Sequence, residues 1–118
     1  MIIAECGTDI GSLIRTIISG KHIYTGKGET VYIIENNKKV YFDIKENYKY
    51  NNWTILHCAA YCGNIYAIKS LLDILDDSFD IEIPDKSNSY FIKIPSPRII
   101  LFNKHPEVYK KLKKEHYI

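Results

Sequence analysis

Residues 51–73 read Asn51-Asn52-Trp53-Thr54-Ile55-Leu56-His57-Cys58-Ala59-Ala60-Tyr61-Cys62-Gly63-Asn64-Ile65-Tyr66-Ala67-Ile68-Lys69-Ser70-Leu71-Leu72-Asp73. Thr54 ahead of an apolar run suits a helix N-cap, because its hydroxyl accepts from a backbone N–H that the first turn leaves unpaired. Ile55, Leu56, Ala59 and Ala60 recur at helical spacing, and the two alanines let a neighbouring helix approach closely. Gly63 fits the end of this short helix, where a left-handed residue reverses the chain. Asn64 caps a second helix, on which Ile65, Ile68, Leu71, Leu72 and Leu75 form one stripe. The stretch therefore predicts two antiparallel helices joined by a tight turn.

Within this window the sequence resembles one repeat of the ankyrin family, whose pattern is T-P-L-H-x-A-A-x-x-G followed by a helix ending in paired leucines. Thr54, Leu56, His57, Ala59, Ala60, Gly63, Lys69, Leu71 and Leu72 occupy matching positions. Ile55 stands where the family usually has proline and Asn52 where it usually has glycine. Both departures are mild, since proline only preorganises the first turn and asparagine tolerates left-handed backbone. The resemblance implies that Thr54, His57, Ala59, Ala60 and Gly63 serve architecture, with His57 hydrogen-bonded inside the TxxH turn and to the adjoining finger. One such unit does not bury its own apolar face, so the flanks must supply neighbours.

On the C-terminal side, Ser96, Pro97, Ile99, Ile100, Leu101 and Phe102, followed by 105–112, resemble a degraded repeat whose histidine and alanines are missing. That is the character of a terminal cap. Pro106 suits the first turn of the last helix, on which Val108 and Leu112 form a thin stripe. On the N-terminal side, residues 9–18 carry Ile10, Leu13, Ile14, Ile17 and Ile18 at helical spacing, with Thr8 or Asp9 as cap and Gly20 as stop. This segment resembles only the outer helix of a leading repeat.

Two β-branched and aromatic pairs separate the helical pieces. Residues 30–35 and 40–44 flank Asn36-Asn37-Lys38-Lys39, and residues 79–83 and 90–94 flank a polar loop. The resemblance implies that both hairpins are lengthened fingers. Thr54 to Ser96 and Asn64 to His105 then recur about 42 and 41 residues apart, against a family period of about 33, and hairpins accommodate such insertions. The expected fold is α+β, with ankyrin-like stacked helix pairs and two elongated β-hairpin fingers. It forms a single domain over 1–118, divided into an N-terminal helix and hairpin cap at 1–47, the ankyrin-like pair at 48–77, and the second hairpin with a degenerate capping repeat at 78–118.

Composition agrees with this picture. The 118 residues are 46% hydrophobic, enough for one modest core. No run approaches the roughly 20 apolar residues that span a bilayer, and the first residues lack a basic start followed by an apolar stretch, so neither membrane insertion nor secretion is expected. Three cysteines, with Cys58 and Cys62 one turn apart, do not read as a disulfide framework. Reduced thiols and a cytoplasmic setting are expected. Heavy use of Ile, Lys, Asn and Tyr points to an AT-rich genome, as in some viruses, intracellular bacteria or protists. The corresponding locations are the host cytoplasm or nucleus.

Candidate chemistry is weak. His57, Cys58 and Cys62 share a helix, but a structural zinc site wants four ligands and no second pair is evident, so no metal or cofactor is expected. Adjacent His57 and Cys58 point roughly 100° apart on a helix, which does not make a nucleophile and base pair. Residues 20–30 fail the phosphate-loop pattern, because the spacer is one residue too long and Gly28 replaces the hydroxyl residue. They read instead as a flexible turn into the first hairpin. No enzymatic role is expected.

The functional expectation is a protein-protein interaction module of ankyrin type, a viral or intracellular-bacterial factor engaging a host protein. Tyr48, Tyr50, Asn51, Trp53 and Tyr61 are the candidate contact residues, since interface hot spots favour Tyr and Trp. The alternative is nucleic-acid binding through the basic end at Lys104, Lys110, Lys111, Lys113 and Lys114, where Tyr109 and Tyr117 offer stacking. The acidic middle at Asp73, Asp76, Asp77, Asp80, Glu82 and Asp85 opposes a polyanion. Self-association is a further expectation, because few repeats leave an apolar stacking face open.

Overall fold

The computed structural model describes residues 10–44, 49–50, 53–84 and 93–118. Helix α1, Ile10–Ile18, buries Ser12, Leu13, Ile14 and Ile17. Ile18 was an expected member of that stripe but is 64% exposed. The helix packs on α2, and its buried stripe is narrower than the sequence pattern. Gly20, at φ 75°, ends it: the Gly20 amide reaches the Ile17 carbonyl at 3.1 Å and the Lys21 amide the Thr16 carbonyl at 3.2 Å.

Three antiparallel strands follow, β1 (Tyr24–Thr25), β2 (Thr30–Glu35) and β3 (Lys38–Asp43), in the order β1-β2-β3. The stretch expected as a flexible turn thus contains a strand. Its connection to β2 is closed by the Gly26 amide on the Thr30 carbonyl at 2.8 Å and by the Thr30 hydroxyl on the Lys27 carbonyl at 2.7 Å. The β2–β3 loop is Asn36-Asn37 alone, not the four residues expected, and Glu35 pairs directly with Lys38. Both asparagines adopt positive φ, 53° and 62°, which makes the two-residue turn accessible. Val31, Ile33 and Phe42 face the core, while Tyr24, Tyr32 and Tyr41 share the opposite face.

A two-residue ladder, β4 (Lys49–Tyr50) with β5 (Trp53–Thr54), leads into α2 (Ile55–Cys62). Ile55, Leu56, Ala59 and Ala60 are buried on α2, as their spacing predicts. Helix α3, Ile65–Leu75, buries Ala67, Ile68, Leu71 and Leu72, with Ile65 and Leu75 half-buried. Beyond it the expected strand at 79–83 begins instead as a 3₁₀ turn, Asp76–Asp80, that buries Phe79. Asp and Ser favour local turns over a ladder, and Phe79 gains more from the core, under the Arg98 guanidinium at 4.9 Å, than from a strand. The ladder shrinks to β6 (Ile83–Pro84) with β7 (Lys93–Ile94); residues 90–92 lie outside the described residues.

Helix α4, Pro97–Lys104, is capped by Ser96, whose hydroxyl accepts from the Ile99 amide at 3.3 Å. It buries Pro97, Ile100 and Leu101 and leaves Ile99 and Phe102 about half exposed. Helix α5, Pro106–Lys114, inserts Leu112 into the core with Val108 beside it. Helix α2 packs against α1, α3 and α4, and α5 packs against α4 and α3. The result is an α+β arrangement of helices around one side of a small antiparallel sheet, with one apolar cluster from Leu13 through Phe42, Leu56 and Leu71 to Leu112. Among the described residues no helix is long and apolar enough to cross a membrane.

Candidate functional site

Thr54 does two things at the start of α2. Its hydroxyl oxygen accepts from the His57 amide at 3.2 Å, and it lies 2.6 Å from His57 Nδ1. His57 Nε2 lies 2.9 Å from the Pro95 carbonyl, which only accepts, so Nε2 carries the proton and Nδ1 takes the Thr54 hydroxyl proton. Burial holds the imidazole below its ordinary pKa, against the raising effect of Pro95. The ring thus joins the cap of α2 to the segment just ahead of α4, 38 residues away.

The neighbouring thiols are blunted. Cys58 is pushed up to about 11 by burial and by Cys62 across one turn, and burial raises Cys62 as well. A thiol raised in this way is a poorer nucleophile and a poorer ligand at neutral pH. Among the described residues no three His, Cys, Asp or Glu side chains group as metal ligands do.

The far end of α2 presents a different surface. Gly63, at φ 70° and ψ 24°, closes the helix with its amide on the Ala59 and Ala60 carbonyls. A Cβ there would lie 2.6 Å from His105 Cγ, so glycine is required by contact as well as by conformation. His105 Nε2 donates to the Tyr61 carbonyl at 2.8 Å, fixing the α4–α5 corner against α2. Tyr61 itself is 48% exposed, with Lys104 Nζ 5.0 Å from its ring centre.

Of the five residues expected to contact a partner, Tyr61 is the one whose side chain is placed, and it is on the surface. Tyr50 and Trp53 are backbone partners in the β4–β5 ladder. Tyr48 and Asn51 lie outside the described residues. Of the basic end, Lys104, Lys110, Lys111, Lys113 and Lys114 are exposed.

A second surface escaped the sequence reading. Tyr41, Tyr32 and Tyr24 stand in one cross-strand row at 5.2 Å steps. The row continues through His22, 6.0 Å from Tyr24, to Tyr66 on α3, 3.8 Å from His22. Lys39 Nζ lies 4.9 Å from the Tyr32 ring centre. Beside the row is a cleft of about 600 Å³, lined by Lys21, His22, Tyr24, Ile34 and Glu35 among others. Its signal in the sequence was alternation: Tyr32 between Val31 and Ile33, and Tyr41 between Val40 and Phe42, each out of phase with its apolar neighbours. Set against known proteins, the chain matches no family model, no curated protein and no solved structure.

Proposed function

We propose that the chain is a non-enzymatic protein-interaction module whose helix pairs stack in the ankyrin manner. In this reading α2–α3 is the well-kept repeat, α4–α5 the degenerate cap and α1 a leading half-repeat. The observation that carries it is the division of roles along α2. His57, with Thr54 and the Pro95 carbonyl on its two ring nitrogens, is engaged in architecture, while Tyr61 one turn on is presented to solvent from a fixed frame. A tyrosine held in this way offers contact area at low entropic cost, which suits a binding surface. Tyr48, Tyr50, Asn51 and Trp53, which precede α2 in the sequence, are the other contact residues in this reading.

The partner is a protein, and the residue usage directs the search to hosts of viruses or intracellular bacteria. The test is affinity recovery with the tagged full chain. A defined protein is expected, lost in Tyr61→Ala at unchanged melting temperature. Recovery of nucleic acid alone, released by salt, would instead support the basic helix α5 as the working surface.

A further inference from the structure

Cross-strand aromatic pairs stabilise hairpins, and Tyr24, Tyr32 and Tyr41 do so here. Strand pairing alone would end the row at the sheet edge. Instead it passes through His22, outside β1, to Tyr66 on α3, and the closest stack of all is this off-sheet one at 3.8 Å. Nor does core burial account for the rings: Tyr24 is 40%, Tyr41 39% and Tyr66 45% exposed. The molecule therefore keeps a continuous aromatic track on its surface, with each ring held in place by the next.

Cations accompany the track. Lys39 lies over Tyr32, Lys21 adjoins His22 in the sequence and shares its cleft, and Lys27 and Lys38 sit in or beside the two turns of the sheet. Residues 21–41 hold Lys21, Lys27, Lys38 and Lys39 against Glu29 and Glu35, a positive balance. Glu35 is the cross-strand partner of Lys38, so its charge is offset locally. Asp43 shares the solvated face but lies at the end of β3 remote from Lys39, which leaves the side of the row nearer the hairpin tip the more basic one.

Rings in series with interleaved lysines match the chemistry of a single strand, whose bases offer planar faces and whose phosphates repeat along one edge. A duplex hides those faces within its own stack. We propose that the Tyr41–Tyr32–Tyr24–His22–Tyr66 row binds single-stranded nucleic acid, with bases against the rings and phosphates along Lys39 and Lys21. The site is separate from α2 and from the basic helix α5, and it stands independently of the interaction module proposed above.

The experiment uses the full chain and fluorescein-labelled oligouridylate and oligothymidylate of about 15 nucleotides, followed by anisotropy across a salt series. Binding to both strands is expected, with weaker binding to a duplex of equal length. Tyr24→Thr keeps strand propensity and Tyr66→Gln keeps helix propensity; each should weaken binding about tenfold. The surface double variant Lys21→Gln/Lys39→Gln leaves folding intact and should make the logarithmic salt slope shallower by about 1.4. Three results would overturn the proposal. They are no binding to either strand, loss in Lys110→Gln/Lys113→Gln with the ring variants unchanged, or equal affinity for heparin, a polyanion without bases.

Discussion

At the residue scale, two side chains decide how firmly α2 is held. Removing the His57 ring leaves the Pro95 carbonyl without its donor and opens a cavity in the core, so His57→Ala should cost about 2–4 kcal/mol, read as a drop in Tm. The same ring makes stability depend on pH. Its folded-state pKa is depressed below the ordinary 6.5, so the unfolded chain binds the proton more readily. The contribution of neutral His57 is therefore complete above about 6.5 and is lost as pH falls from there towards the folded value. Protonation also removes Nδ1 as acceptor for the Thr54 hydroxyl. His57→Gln should flatten this part of the Tm-against-pH curve relative to the wild type, and an unchanged curve would mean that another group sets the slope. Gly63 is the second case. Gly63→Ala meets both a left-handed backbone and the His105 ring and should cost about 2 kcal/mol. Only the steric part is relieved by removing that ring, so the cost of Gly63→Ala should be smaller when measured in a His105→Ala background.

At the element scale, Asn64 does more than cap. Its Oδ1 accepts from the Tyr66 and Ala67 amides, while its Nδ2 donates to the Ile17 carbonyl at 3.1 Å and the Lys21 carbonyl at 2.9 Å. One buried amide thus starts α3 and ties down the end of α1. At an isolated N-cap, Asp replaces Asn at little cost. Here Asn64→Asp sets a carboxylate against two carbonyl oxygens, and a loss of about 2–3 kcal/mol is expected in denaturant unfolding. A loss of only a few tenths would show that the α1 link contributes nothing. The capping half of this role was legible in the sequence because it is local. The other half joins residues 47 and 43 positions apart, a distance that helical periodicity does not reach. The β2–β3 turn offers the opposite sign of change. Asn37 holds a φ of 62° that glycine adopts without strain, so Asn37→Gly should raise stability by about 0.5–1 kcal/mol.

At the scale of the whole molecule, what the sequence disclosed was what repeats along one helix or strand. Thr54 and Gly63 announced the ends of α2 and Asn64 the start of α3, and Leu71, Leu72 and Leu112 announced the buried faces of α3 and α5. Hidden from it were features set by register and by distant packing. The aromatic row exists because Tyr24, Tyr32 and Tyr41 fall opposite one another, and the 3₁₀ turn at Asp76–Asp80 exists because Phe79 finds a place beneath Arg98. Arg98 also holds both carboxylate oxygens of Asp80 and donates to the Tyr109 hydroxyl, so one guanidinium spans the turn, α4 and α5. Cross-links of this kind bear on whether the chain unfolds as one unit. Leu13 on α1 and Leu112 on α5 are both fully buried, at opposite ends of the described chain, yet they belong to one continuous apolar cluster. Cavities at either site should therefore lower the same transition, by about 2–5 kcal/mol each. In urea, Leu13→Ala and Leu112→Ala should each shift a single midpoint, with far-UV circular dichroism and intrinsic fluorescence superimposed. A second transition in Leu112→Ala would mean that α4–α5 unfolds separately, and that the His57–Pro95 and His105–Tyr61 bonds do not transmit stability between the helix pairs.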